Sequence, residues 1–167
     1  MKSETRSTLT IALLAIYALV LIGIILFKFP FSYQEAGSGR VLNLIPFEGS
    51  FRDGVLRLDG IIENVLIFVP LGLYLSMVKA NWSFWKKTLV ILGVTVAFEI
   101  IQYIFAIGRA DVTDVLTNTL GGMAGIGLHA LLTKALKTRT NGVINVVALI
   151  LTLCALLEFS FLLSHSR

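Results

Sequence analysis

Six side chains able to do chemistry stand close together in an otherwise apolar stretch: Glu99, Gln102, Arg109, Asp111, Asp114 and Asn118. Carboxylates hold a divalent cation such as Mg²⁺ or Ca²⁺ through oxygen ligands. A pair of them works as acid and base when their surroundings push their pKa values apart. Arginine grips a phosphate or carboxylate through two parallel N–H donors. Such a set suits a phosphorylated or otherwise polar lipid headgroup. It equally suits binding of a cationic or amide-rich ligand with no reaction at all, and the residue types do not choose between the two. Other chemistries lack their motifs: there is no HExxH, no G-x-S-x-G, no Walker A loop and no Cys/His zinc spacing. Neither histidine is expected in the membrane layer that holds these acids, so a Ser-His-Asp arrangement is not expected.

These residues must be positioned by membrane helices. Of the 167 residues, 56% are hydrophobic and only 14% charged, and the mean hydropathy is +0.87. A soluble domain of this size needs more polar surface. Spanning a bilayer takes about 20 mostly apolar residues, and five such runs are legible: Leu9 to Phe29, Gly60 to Val78, Phe84 to Ile107, Asp111 to Leu136, and Val143 to Leu163. The period-2 alternation of barrel strands is missing, so the expected fold is all-α, a polytopic bundle of about five transmembrane helices. The first run follows Lys2 and Arg6 but is too long for a signal peptide's apolar core, and is read as a retained anchor. A long connection, Phe31 to Asp59, opens with a Gly-Ser segment at Gly37 to Gly39 and turns semi-apolar at "VLNLIPF", a piece expected at the membrane surface. The basic pI of about 9.4 reflects lysines and arginines at helix ends, and nucleic acid is not an expected partner.

Lysine and arginine placement sets the orientation. Lys2, Arg6, Lys79, Lys86, Lys87, Lys134, Lys137 and Arg139 share one side if the spans alternate. That side is expected to be the cytoplasm, with the N-terminus in and the C-terminus out. At about 1.5 Å per residue, Glu99 then lies some 12 Å below the outer end of the third span, and Asn118 about 10 Å below Asp111 in the fourth. Glu63 and Asn64 open the second span only about 4–6 Å in. Polar residues from three helices converge in one outward-facing layer. Asp111, Asp114 and Asn118, spaced i, i+3, i+7, share a helix face. Below them Gly121 and Gly125 form a small-xxx-small pair suited to close helix contact. Pro70 removes one backbone hydrogen bond from the second span, and a kinked helix beside a glycine face is expected to open a pocket to the outer leaflet.

Each polar residue also has a purely structural role available. Asp111 and Asp114 suit a helix start as cap and first-turn acid. Arg109 suits an interfacial anchor or an aspartate partner. Asn64 and Asn118 suit hydrogen-bond glue between helices. His129 reads as structural, Cys154 as inert packing, and Glu158 as isolated near the end of the fifth span. Glu99, and after it Glu63, are the hardest to explain this way, because ionisable groups inside a bilayer are costly unless paired, protonated or wet. Glu99, Asp114 and Glu63 are therefore the candidate catalytic residues. Arg109, Asp111, Asn64, Gln102 and Asn118 are candidates for binding, with a divalent cation as the conceivable cofactor.

Three segments, "NLIPF" (Asn43 to Phe47), "ENVLIFVPLG" (Glu63 to Gly72) and "EIIQYIFAIGRADVTDVLTNTLGG" (Glu99 to Gly122), together resemble the VanZ-like family in order, spacing and hydrophobic context. The resemblance covers about Val41 to His129 and the first span, within a single domain of residues 1–167. It adds Asn43 to the candidate binding residues. It implies a multi-pass protein of the bacterial cytoplasmic membrane whose founding members are associated with low-level resistance to teicoplanin, a lipid-tailed glycopeptide. The partners it implies are membrane lipids or lipid-linked envelope precursors, and the lipoglycopeptide drug itself.

Overall fold

A computed structural model describes residues 2–27, 40–52, 55–107 and 109–165. Five long helices dominate: α1 (Lys2–Phe27), α2 (Asp59–Val78), α3 (Phe84–Phe105), α4 (Val112–Leu136) and α5 (Thr140–His165). Each of the five runs expected from the sequence is one of these helices. Four stretches are long and apolar enough to cross a membrane: Thr8–Ile25, Asp59–Val78, Phe84–Phe105 and Val112–Cys154. The last, 43 residues long, contains both α4 and most of α5, and a single 3-10 turn, Lys137–Arg139, divides them. The Gly-Ser segment and Gly108 lie outside the described residues, as does the side chain of Glu158.

Hydrogen bonds between helices fix their directions. The amide of Asn145, near the start of α5, donates to Thr10 Oγ1 near the start of α1 at 2.8 Å. Gln102 Nε2, near the end of α3, donates to the carbonyl of Ile25 near the end of α1 at 2.8 Å. Asn64 and Asp114, each near the start of its helix, bond at 2.7 Å. Thus α1, α3 and α5 run one way and α2 and α4 the other. One end of the bundle holds the α3–α4 turn and the starts of α2 and α4; it is called the site end. The other, the lysine end, gathers Lys79, Lys86, Lys87, Lys134, Lys137 and Arg139.

The core is a cluster of Leu21, Ile25, Phe68, Ile91, Phe98 and Ile126, contributed by all of the first four helices. The closest packing is between α2 and α4, and glycine makes it possible. A Cβ on Gly121 would strike the carbonyl of Val65, and one on Gly125 the carbonyl of Val69. A Cβ on Gly72 would strike the carbonyl of Gly122. Backbone meets backbone, as small residues permit in membrane helices. The expected pocket beside this face is therefore absent at these positions: α2 continues as helix through Pro70, and its backbone fills the space that the glycines leave. Gly127, with nothing within 4 Å of its Cβ direction, takes no part. Cys154, expected as packing, is instead exposed on α5. His129 Nε2 lies 3.2 Å from Asn141 Oδ1 and links α4 to α5, the structural role read for it.

Two small β-pairings were not legible in the sequence. A parallel pair joins β1 (Val41–Asn43) to β4 (Arg109–Asp111) with Val41 opposite Arg109 and Asn43 opposite Asp111. An antiparallel pair joins β2 (Phe51–Arg52) to β3 (Val55–Leu56). Both lie at the site end. The long connection is thereby tied down onto the α3–α4 turn, and it exposes Leu44, Ile45, Phe51, Val55 and Leu58.

Candidate functional site

The site is assembled around the start of α4. α3 ends at Ala106, in the left-handed region at φ 52, with its N–H bonded back into the last turn. The Ile107 N–H reaches Gln102 O at 3.2 Å, a Schellman-type stop. The chain then extends as β4, and Asp111 becomes the N-cap of α4, its Oδ1 accepting from Thr113 N–H at 2.8 Å. Its Oδ2 accepts from Asn43 Nδ2 at 2.9 Å, since strand register sets Asn43 opposite it. Asp111 is thus the cap that the sequence allowed, and a junction as well.

The "NLIPF" segment acts as a strap. Asn43 Oδ1 accepts from Ile45 N–H at 3.1 Å. The Glu48 N–H closes a turn on Ile45 O at 3.3 Å, with Pro46 at its second position and Phe47 at its third. Phe47 sits at φ 64, ψ 1, a conformation that type II turns usually give to glycine. The N–H of Phe47 donates to Thr113 Oγ1 at 2.9 Å, which holds this strained residue over the first turn of α4. Gly49 then passes so close that a Cβ there would stand 3.2 Å from Asp111 Oδ2 and 3.4 Å from Arg109 Nη1. The three segments that resemble one family are the three segments that meet here.

The other candidates separate into those that join this layer and those that do not. Asn64 Nδ2 donates to Asp114 Oδ1 at 2.7 Å, with Thr117 Oγ1 at 3.4 Å, which ties α2 to α4 near the starts of both helices. Glu99, 8% exposed, accepts the backbone N–H of Asp111 at 2.7 Å. The residue that resisted a structural explanation therefore has one: it holds the α3–α4 turn. Asn118 does not face Glu99. It lies one turn deeper and donates to Thr95 Oγ1 at 3.0 Å. Gln102 turns to α1 instead of α4. Glu63 does not join the layer either, being exposed while its neighbour Asn64 faces α4. Adjacent helix residues point about 100° apart, so only one of the two can make that contact. Arg109 is exposed and makes no ion pair among the described residues. Among those residues, no three of His, Cys, Asp and Glu gather closely enough to hold a metal ion. Thr95, Thr113 and Thr117, none more than 4% exposed, are the site residues that the sequence reading missed. The spacing of Thr113 and Thr117, i and i+4 beside Asp114 and Asn118, was the available signal.

The role of Glu99 has a direct test. Glu99→Gln keeps an acceptor for the Asp111 N–H, whereas Glu99→Ala leaves it bare in a buried position. The alanine variant should lose about 1–3 kcal/mol of stability and the glutamine variant clearly less, read as the ordering of thermal midpoints in detergent.

Helices of this length and apolarity make the chain an integral membrane protein. It belongs to the VanZ/LLP1 family, whose model matches residues 14–133, from within α1 to near the end of α4. It is similar to Protein VanZ of Enterococcus faecium, at 39% identity over 155 residues, 88% of this chain and 89% of that protein. No solved structure matches it.

Proposed function

We propose that this is a multi-pass protein of the bacterial cytoplasmic membrane whose site end faces outward. There it binds a lipid or lipid-linked component of the envelope through an anionic group. The reading rests on one contrast. Asp111, Glu99 and Asp114 each accept a hydrogen bond from within the chain, while the Arg109 guanidinium is exposed above them, positioned by strand pairing and by the passage of Gly49. Carboxylates already engaged in holding a turn favour binding over catalysis. A guanidinium at a membrane surface suits a phosphate or carboxylate. The exposed apolar strap beside it, Leu44, Ile45 and Phe51, suits the adjoining lipid. Kinship with Protein VanZ links this site to teicoplanin and lipoglycopeptide resistance: occupancy of a lipid-linked precursor, or of the drug's own lipid tail, would withhold one from the other.

The experiment is drug susceptibility in a sensitive bacterial host. Wild type should raise teicoplanin tolerance, and Arg109→Gln should return it to the empty-vector level at unchanged membrane abundance. Full tolerance in Arg109→Gln would sink the reading.

A further inference from the structure

The lysine end carries a second arrangement that the site end does not explain. A helix N-terminus bears partial positive charge and free N–H groups, so acids are favoured in its first turn and lysines disfavoured. α3 does the reverse. Its first turn holds no acid but has Lys86, with Lys87 next to it. Ser83 caps the helix by accepting from Lys86 N–H at 3.3 Å.

Lys87 is only 7% exposed; its backbone N–H donates to Ser83 O at 3.2 Å, while its side chain makes no hydrogen bond or ion pair among the described residues. Helical side chains lean toward the N-terminus, so Lys87 covers the turn that begins at Ser83. At the same level on α2, two residues before that helix ends, Ser76 Oγ is buried with no hydrogen-bond partner. Around the rim, Lys79 and Lys86 lie 5.3 and 4.5 Å from the ring centre of Trp82, and Trp85 is 69% exposed. Among the residues whose side chains are described, no Asp or Glu lies at this end. A buried lysine, an orphaned hydroxyl and a helix N-terminus that repels its own first turn all lack the same thing, an anion.

We propose that the α2–α3 turn seats the phosphate of an anionic phospholipid. The phosphate lies against the N-terminus of α3 among Lys79, Lys86 and Lys87. Trp82 and Trp85 stand beside the glycerol and upper acyl chains, the depth at which tryptophan settles in bilayers. The exposed indole points to a lipid source over a soluble phosphate. The seat is at the opposite end from Arg109, so it stands or falls independently of the function proposed above.

Both tryptophans of the chain lie here, Trp82 in the turn and Trp85 in the first turn of α3, so tryptophan fluorescence, excited selectively over tyrosine, reports on this region alone. The full chain is reconstituted in phosphatidylcholine vesicles containing a minority of phosphatidylglycerol, with bromine quencher on the acyl chains of one lipid or the other. Wild type should favour phosphatidylglycerol over phosphatidylcholine around the indoles by about thirtyfold relative to their bulk ratio, the scale expected of two lysines near a membrane surface. Lys86→Gln with Lys87→Gln should bring quenching down to the bulk value. Ser83→Asp, which supplies an internal anion at the N-cap, should do the same while raising the thermal midpoint. Lys137→Gln with Arg139→Gln removes equal charge from the same end and should leave quenching unchanged. Equal loss in that control pair, no enrichment in wild type, or retention in Ser83→Asp would overturn the proposal. Displacement by millimolar inorganic phosphate would overturn the lipid as its source.

Discussion

Gly121→Ala is expected to destabilise the protein by about 3 kcal/mol, the upper range for forcing a methyl group into close packing. The expectation runs against local propensity, since alanine in place of glycine ordinarily favours a helix by about 1 kcal/mol. Packing wins because the new Cβ would meet the backbone carbonyl of Val65, which cannot rotate away. Gly125→Ala meets Val69 in the same manner and should behave alike. Gly122→Ala presses instead on the side chain of Ile91, which can shift, so a smaller loss is expected. Gly127→Ala has open space and should gain slightly or do nothing. Thermal midpoints in detergent for the four variants give the pattern. A uniform response would mean that α2 and α4 are not in backbone contact.

Asp111→Ala should be nearly as damaging, by about 3 kcal/mol. Loss of an N-cap side chain accounts for about 1 kcal/mol. The Asn43 amide, 5% exposed, would then lose its carboxylate acceptor, a charge-assisted bond worth about 1.5–3 kcal/mol. Asp111→Asn retains a capping oxygen and should recover part of the loss. Because Asp111 joins α4 to the strap, the alanine variant should also free residues 40–52. Hydrogen exchange at the amides of Ile45 and Phe47 should accelerate with α2 and α3 still protected. Unchanged protection there would show that the strap is held by something other than Asn43 and Thr113.

The helices were legible because each is an apolar run of bilayer length with little competing signal. Asn64–Asp114 was legible too, since helix periodicity and alternation of spans bring two particular faces together at one depth. What failed was the finer register. Counting down each helix placed Glu99 level with Asn118. The chain, however, ends α3 at Ala106 and returns as an extended strand, so Asp111 itself comes level with Glu99 and Asn118 falls to Thr95. A three-residue parallel pairing between segments 68 positions apart, Asn43 and Asp111, leaves no periodicity to read. Glu63 was separable in principle: Asn64, Phe68 and Gly72 form an i, i+4, i+8 face, and Glu63 is off it. The functional weight moves accordingly, from Glu99, which braces the turn, to Arg109, which the turn presents.

That shift is tested most directly by what the protein carries out of the membrane. Wild type and Arg109→Gln are purified from bacterial membranes in mild detergent and weighed intact by native mass spectrometry, with thermal midpoints measured in parallel. A phospholipid seated at the lysine end appears on both and cancels in the comparison. The account predicts an anionic lipid or lipid-linked adduct on wild type that is lost from Arg109→Gln, with midpoints equal, since Arg109 makes no ion pair among the described residues. The same adduct on both proteins, or none on wild type beyond what Arg109→Gln retains, would contradict it.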